Sequence, residues 1–232
     1  MRTENTSIRL LYRLGGMASI ILIAYSLITM LIMVGIGTPP ETIEECFAML
    51  KANRLHGLLR LDILTVFTMP LYYLLFYSIY LALKETDMVL ATISTIFAFA
   101  GLTLFLATPS VFSYLKLSDM FELAKTEIEK QQLLAAGQAI FVSDMWNGTG
   151  ARVGGILLQL GALIVSFVML KSNVFTKWTA YTGIVTHGLD LLHIIAGFFL
   201  PTVGIVLMAI AGPLYLLWFP LICIQLFKLS KQ

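Results

Sequence analysis

Six stretches of this chain are almost free of charge and each is about twenty residues or longer: about 14–36, 58–83, 89–114, 151–170, 178–200 and 203–227. A helix of that length crosses a hydrocarbon layer about 30 Å thick. A soluble core offers no other home for them, because 59% of the 232 residues are apolar, only 12% are charged and the mean hydropathy is +0.90. Soluble domains carry about 25% charged residues. The pattern predicts an all-α fold in one integral membrane domain, a polytopic six-helix bundle over residues 1–232 with the lipid bilayer as its first partner. The first run follows Arg2, Arg9 and Arg13, is too long for a signal-peptide core and has no small-x-small cleavage site, so it is expected to stay as a span.

Linker lengths order the runs. Lys84-Glu85-Thr86-Asp87, Lys171 to Lys177 and the turn at Pro201-Thr202 are short, which makes the runs they join antiparallel neighbours. The two longer linkers are each expected to hold an amphipathic interfacial helix. In the first, Thr38 before Pro39 and Pro40 marks a start, and Ile43, Cys46, Phe47 and Leu50 share a face. In the second, Ser118 is the expected cap of a helix whose apolar face holds Phe121, Ala124 and Ile128. With both termini inside, eight of the 15 Lys and Arg residues fall in compact inner segments and seven in much longer outer ones. The density, rather than the count, places the N- and C-termini in the cytoplasm. The formal charge of +2 comes with no long basic tract, so nucleic acid is not an expected partner, and Cys46 and Cys223 read as structural thiols. The sequons Asn5-Thr6-Ser7 and Asn147-Gly148-Thr149 matter only in a eukaryotic secretory route.

Short motifs run through most of the chain: Tyr12-Arg13-Leu14-Gly15-Gly16, Arg60-Leu61-Asp62-Ile63-Leu64 with Leu71-Tyr72, Gly154-Gly155, Met169-Leu170-Lys171-Ser172, Phe175-Thr176-Lys177-Trp178 before Gly183, and Gly212-Pro213-Leu214-Tyr215. In these the chain resembles the uncharacterised prokaryotic membrane family called domain of unknown function 4386. The resemblance implies a six-span fold and a prokaryotic plasma membrane, and brings no activity with it. His187, Asp190 and His193 are not part of the resemblance.

Ionisable groups inside hydrocarbon are costly, so each is a candidate for function. In Thr186-His187-Gly188-Leu189-Asp190-Leu191-Leu192-His193, steps of three put Asp190 within reach of both histidines. The two histidines stand roughly 9 Å apart along the axis and about 120° around it, so one ion would take Asp190 with one of them. Gly183, His187, Asp190, Gly197 and Pro201 share a stripe on the fifth run, as do Gly148, Arg152, Gly155, Gln159, Ala162 and Ser166 on the fourth, joined by Asp144 if that helix starts early. Small seams also mark the first run (Gly15, Ser19, Ser26, Thr29) and the third (Ser94, Ala98, Gly101, Thr108). Asp62, about a turn inside the second run, needs a partner, and Arg152 or Arg60 is the expected one. The aromatic stretch from Tyr72 to Tyr80 reads as core and interfacial belt.

These placements predict an outward-facing pocket lined by His56, Asp62, Asp144, Arg152, Gln159, Asp190 and His193, with His187 deeper. The leading expectation is a protein that binds or transports a small polar ligand or ion, with Arg152 and Gln159 holding a polar group and Asp190 with His193 as a titratable pair. A zinc-dependent intramembrane hydrolase acting on a lipid is the alternative: His56, His193 and Asp190 would hold zinc, and Asp62 or Asp144 would be the catalytic base. A structural subunit of a membrane complex, its polar stripes meeting a protein partner of unknown identity, is the third reading, and a His-Asp clasp that merely orients helices is the bland one. A protease tag at either terminus is expected to survive protease added to intact cells and to be cut after permeabilisation.

Overall fold

The computed structural model describes residues 2–232. The side chains of Arg2 and Asn5, read above for charge and for a sequon, lie outside the described ones. Among the described residues every regular element is helical: α1 (Arg2–Gly35), α2 (Ile43–Ala52), α3 (Arg54–Arg60), α4 (Ile63–Thr68), α5 (Leu71–Leu83), α6 (Met88–Leu106), α7 (Val111–Leu123), α8 (Glu127–Phe141), a π-turn (Gly150–Gly154), α9 (Gly155–Lys171), α10 (Lys177–Ala196) and α11 (Pro201–Leu229). Four helical stretches are long and apolar enough to cross a membrane: Thr6–Gly35, Met88–Leu123, Gly150–Lys171 and Pro201–Leu229. Leu71–Leu83 is a shorter apolar helix. Large apolar side chains such as Leu31, Val34, Val89, Trp178 and Ile205 are exposed on the outer surface, where water would tolerate few of them.

Contacts run around a closed ring. α1 packs on α5 and α11, α11 on α10, α10 on α9, α9 on α6, and α6 on α5. The neighbours expected from short linkers are therefore in contact. Inside the ring lies a core of Leu22, Phe76, Ile79, Ala98, Val165, Trp218, Phe219 and Ile222.

Small residues set how closely the ring closes. A Cβ on Gly101 would meet the Gly154 carbonyl oxygen at 2.4 Å, one on Gly161 would meet the Ser94 carbonyl oxygen at 2.6 Å, and Ser94 donates to the Gly161 carbonyl at 2.8 Å. The expected seam of the third run is thus used, but against Gly150, Gly154 and Gly161. The predicted stripe of Gly155, Gln159, Ala162 and Ser166 faces elsewhere: Gly155 lies under Ile194, and Ser166 abuts Gly183. One helix thus carries two seams on adjacent faces, Gly154 with Gly161 toward α6 and Gly155 with Ser166 toward α10.

The boundaries differ from the sequence reading where the backbone needs other partners. Residues 58–83 are not one helix: Asp62 sits in the left-handed region with φ 55°, tolerable for a short polar side chain, and a turn at Met69-Pro70 makes a second break. The run at 89–114 ends at Leu106, and α7 begins beyond Pro109. Thr38 does not start a helix, because Thr42 caps α2 by accepting from the Glu45 N–H. Ser118 is buried within α7, and α8 instead starts at a capping box between Thr126 and Glu129.

The two expected interfacial helices are therefore replaced by a small cap. α2, α3, α7 and α8 enclose their own core of Ile43, Cys46, Phe47, Met49, Leu50, Leu61, Val111 and Tyr114. The Ile43, Cys46, Phe47, Leu50 face predicted from spacing is the buried one. Burial, with Glu45 and Asp144 nearby, pushes the Cys46 thiol up to about 12, as suits an inert packed thiol. The Glu41 backbone N–H and the Arg60 guanidinium hold the exposed Glu45 carboxyl below its usual range.

Because the atoms facing Gly101 are backbone, Gly101→Ala is expected to lower the thermal midpoint in detergent, at a cost of about 1–3 kcal/mol. Gly212→Ala, which meets nothing within 4 Å, is expected to hold or raise it.

Candidate functional site

Where α9, α10 and α11 meet, four side chains form one hydrogen-bonded cluster. Asp190 Oδ2 accepts from the Tyr215 hydroxyl at 2.7 Å and from Gln159 Nε2 at 2.7 Å, and the same Nε2 lies 3.1 Å from the Tyr215 oxygen. With its NH₂ turned to Asp190, Gln159 presents Oε1 to His187 Nδ1 at 2.8 Å. An amide oxygen only accepts, so Nδ1 carries the hydrogen and Nε2 keeps the lone pair. That Nε2 is sealed from solvent and makes no hydrogen bond, as is true of Trp218 Nε1, whose ring meets the His187 ring edge-on at 4.6 Å. Among the described residues no Lys or Arg forms an ion pair with Asp190. Its hydrogen bonds come from neutral donors.

The architecture explains the convergence. Gln159 lies one turn from Gly155 on the α9 seam, and Gly183 lets α10 approach Ser166 and Trp218 so closely that a Cβ there would stand 2.3 Å from Ser166 Oγ. His187 and Asp190 follow Gly183 on the same face of α10. Tyr215 reaches in from α11, two residues beyond Pro213.

The other predicted site residues do not join this cluster. His193 Nδ1 lies 2.9 Å from the Gly204 carbonyl oxygen, within electrostatic reach of Asp190 but not bonded to it. Arg152 is half-buried with its guanidinium 5.5 Å from the Phe198 ring centroid, beside Gly197 at the end of α10. It pairs with no carboxylate among the described residues.

Asp62 meets neither expected partner. Its Oδ2 accepts from Thr65 Oγ1 at 2.5 Å, and the single Tyr25 hydroxyl hydrogen is shared between Thr65 Oγ1 and that same Asp62 oxygen, 3.3 Å away. Arg60 turns away to the Thr38 carbonyl at 2.7 Å and Glu45 at 3.1 Å, because the left-handed turn at Asp62 sends the two side chains apart. His56 is half-buried in the first turn of α3, and its backbone N–H donates to the Asn53 side-chain oxygen.

Asp144, buried under the cap, accepts from the Tyr114 hydroxyl at 2.6 Å, the backbone N–H groups of Trp146 and Asn147 at 2.9 Å each, and the Asn147 amide at 3.2 Å. Four donors on one carboxylate make it a staple for the turn between α8 and the π-turn. Seven residues expected in one pocket thus occupy separate places, with only Gln159 and Asp190, plus the deeper His187, in direct contact. Among the described residues no three His, Cys, Asp or Glu side chains gather as a metal-holding group, so His56, Asp190 and His193 stand apart.

Tyr215, Tyr25, Thr65 and Tyr114 are the partners that sequence reasoning missed. A usable signal existed for two of them: a tyrosine in the middle of an apolar run, far from either interface, needs a hydrogen-bond partner. Tyr215 and Tyr25 both sit that way.

No protein-family model, no curated protein and no solved structure matches this chain.

Asp144→Ala would leave the Tyr114 hydroxyl and two N–H groups without their acceptor, at roughly 1–3 kcal/mol for each buried group left unpaired. The expected result is faster proteolytic cleavage within 111–150 and a lower thermal midpoint, with the Asp190 cluster undisturbed.

Proposed function

We propose that this chain is a six-span integral membrane protein that binds or transports a small polar ligand or ion through its polar interior. The observation that carries the reading is Asp190, a carboxylate on α10 where that helix meets two helices long and apolar enough to cross a membrane, α9 and α11; among the described residues its hydrogen bonds come from neutral groups, Gln159 and Tyr215. An ionised carboxylate in such surroundings invites a proton or a positively charged or hydrogen-bonding guest. Arg152 and His193, nearer the cap-side end of the ring, would meet a ligand before it reached Gln159, Asp190 and His187.

The six spans are α1, the broken α3–α5 segment, α6, the π-turn with α9, α10 and α11. A helix broken around a buried carboxylate is tolerated in a membrane where it lines protein or a polar cavity. The family resemblance supports a prokaryotic plasma membrane. A common side for both termini is supported by Arg9 Nη2 donating to the Gln232 carbonyl oxygen at 2.5 Å, and its assignment to the cytoplasm rests on the density of Lys and Arg in the segments on that side. The zinc hydrolase remains a reading of the residue types, whereas the ion- or ligand-binding reading has a formed cluster.

The test is a thermal-shift panel on detergent-purified protein at pH 5 and pH 8, with amino acids, carboxylic acids, sugars, nucleosides and alkali cations as probes. At least one probe is expected to raise the midpoint by several degrees, as a site filled at about 100-fold its Kd adds about 2.7 kcal/mol. The rise should depend on pH and vanish in Asp190→Asn. A panel with no stabilising probe, or one indifferent to Asp190→Asn and Gln159→Leu, would overturn the reading.

A further inference from the structure

Arg152 is a half-buried cation without a counter-charge. It stands two residues beyond Gly150, where one of the membrane-compatible stretches begins, and its guanidinium makes no hydrogen bond and no ion pair among the described residues. Arg54 and Arg60 in the cap are taken up instead by Asp119 and by Glu45 with the Thr38 carbonyl. A cation at the end of a span is costly unless an anion joins it, and an aromatic face offsets only part of that cost.

The surroundings hold the guanidinium without satisfying it. Its carbon lies 5.5 Å from the Phe198 ring centroid, and Nη1 lies 3.4 Å from the point where a Cβ on Gly197 would stand. The carbonyl oxygens of His193 and Ile194 are 3.3 and 3.4 Å from that same point, yet neither accepts from Arg152. On α11, a Cβ at Gly204 would meet Gly197 Cα at 3.2 Å, so the two glycines bring α10 and α11 together and leave the place of a side chain at Gly197 to the guanidinium. Five N–H donors in a planar fork remain unused.

The rim of this place is apolar and exposed. Phe198 is followed by Phe199, 79% exposed, and Leu200, 59% exposed, while Val153 next to Arg152 and Val203 on α11 are exposed as well. Pro201, where another membrane-compatible stretch begins, comes directly after Leu200, so the ends of two such stretches meet at the level of Arg152. The ends of spans lie where the hydrocarbon gives way to lipid headgroups. A free anion would have to reach the cation past apolar side chains that face lipid. A phospholipid would bring its phosphate to the cation and lay its chains on those side chains.

We propose that Arg152, backed by Phe198 and Gly197, is a binding site for the phosphate of a membrane phospholipid whose chains lie along Phe198, Phe199 and Leu200. The guanidinium fork donates two parallel hydrogen bonds to two phosphate oxygens, the geometry that favours arginine over lysine for this group. None of the Asp190 cluster takes part, and the site does not depend on the polar-interior reading.

Native mass spectrometry of the full chain released from detergent tests this, with dioleoylphosphatidylglycerol as the probe, dioleoylglycerol as the same chains without phosphate, and inorganic phosphate as the free anion. The phospholipid is expected to bind about tenfold or more tightly than dioleoylglycerol, and inorganic phosphate far more weakly than either. Arg152→Gln removes a group that bonds to nothing, so the fold should persist while the preference for the phospholipid falls to about twofold or less. Arg152→Lys keeps the charge but not the fork and should weaken the phospholipid severalfold. Arg54→Gln and Asp190→Asn should leave the preference as it is. Equal binding of the two lipids, or a preference unchanged in Arg152→Gln or in Arg152→Lys, would overturn the site. Inorganic phosphate binding as tightly as the phospholipid would assign Arg152 to a free anion and overturn the lipid. A preference lost in Asp190→Asn but kept in Arg152→Gln would move the ligand to the polar interior, overturning this proposal and leaving the other reading intact.

Discussion

Close approach of α9 to both of its neighbours is the constraint on which the interior depends. Gly154 and Gly161 bring it against the α6 backbone, and Gly155, Ala162 and Ser166 let α10 come in from the other side. Without a hydrophobic drive between helices in lipid, such contact supplies the packing energy that holds a bundle together. It also fixes reach. Gln159 on α9 bridges Asp190 and His187, both on α10, only because those two helices stand at small-residue separation.

The distribution of charge follows from the same low-dielectric interior. Arg152, Arg54 and Arg60 stay at the cap end, where an aromatic face, Asp119, Glu45 and a backbone carbonyl receive them. The two carboxylates deeper in the ring have hydroxyl and amide donors instead. Such donors leave a carboxylate free to gain or lose a proton without breaking an ion pair, whereas Asp144, saturated with four donors, is committed to structure. Environment, rather than residue type, separates the three aspartates.

The cap shows the opposite physics. Its helices are short: α2 and α8 carry acidic first turns and threonine caps, and α2 and α7 bury an apolar face. Burial of those faces against one another removes the need for a membrane surface under α2. The break after Leu123, where Ala124 is extended and Thr126 starts a new helix, folds α8 back over α7 and closes that core.

The apolar runs, the short antiparallel linkers, the amphipathic face of α2 and the inward stripe of Gly183, His187 and Asp190 were legible in the sequence, because periodicity and length report directly on what a helix must bury. The α9 stripe was legible only in part: Gln159 was assigned to an interior face, where it is buried, but the second seam through Gly154 and Gly161, seven residues apart, lies about one residue around from the first and needed the α6 partner to be recognised as a seam. The partners of Asp62 were decided by one left-handed residue, a local choice stabilised by Tyr25 and Thr65 from outside that turn. Tyr215 and Tyr25 came into the interior through contacts between helices distant in the chain. The sequence by itself determined which segments are helices and which carry a charge that must be sheltered. Which group shelters it was settled by tertiary structure alone, since a hydrogen bond depends on a few tenths of an ångström between helices and no pattern within one helix encodes that distance.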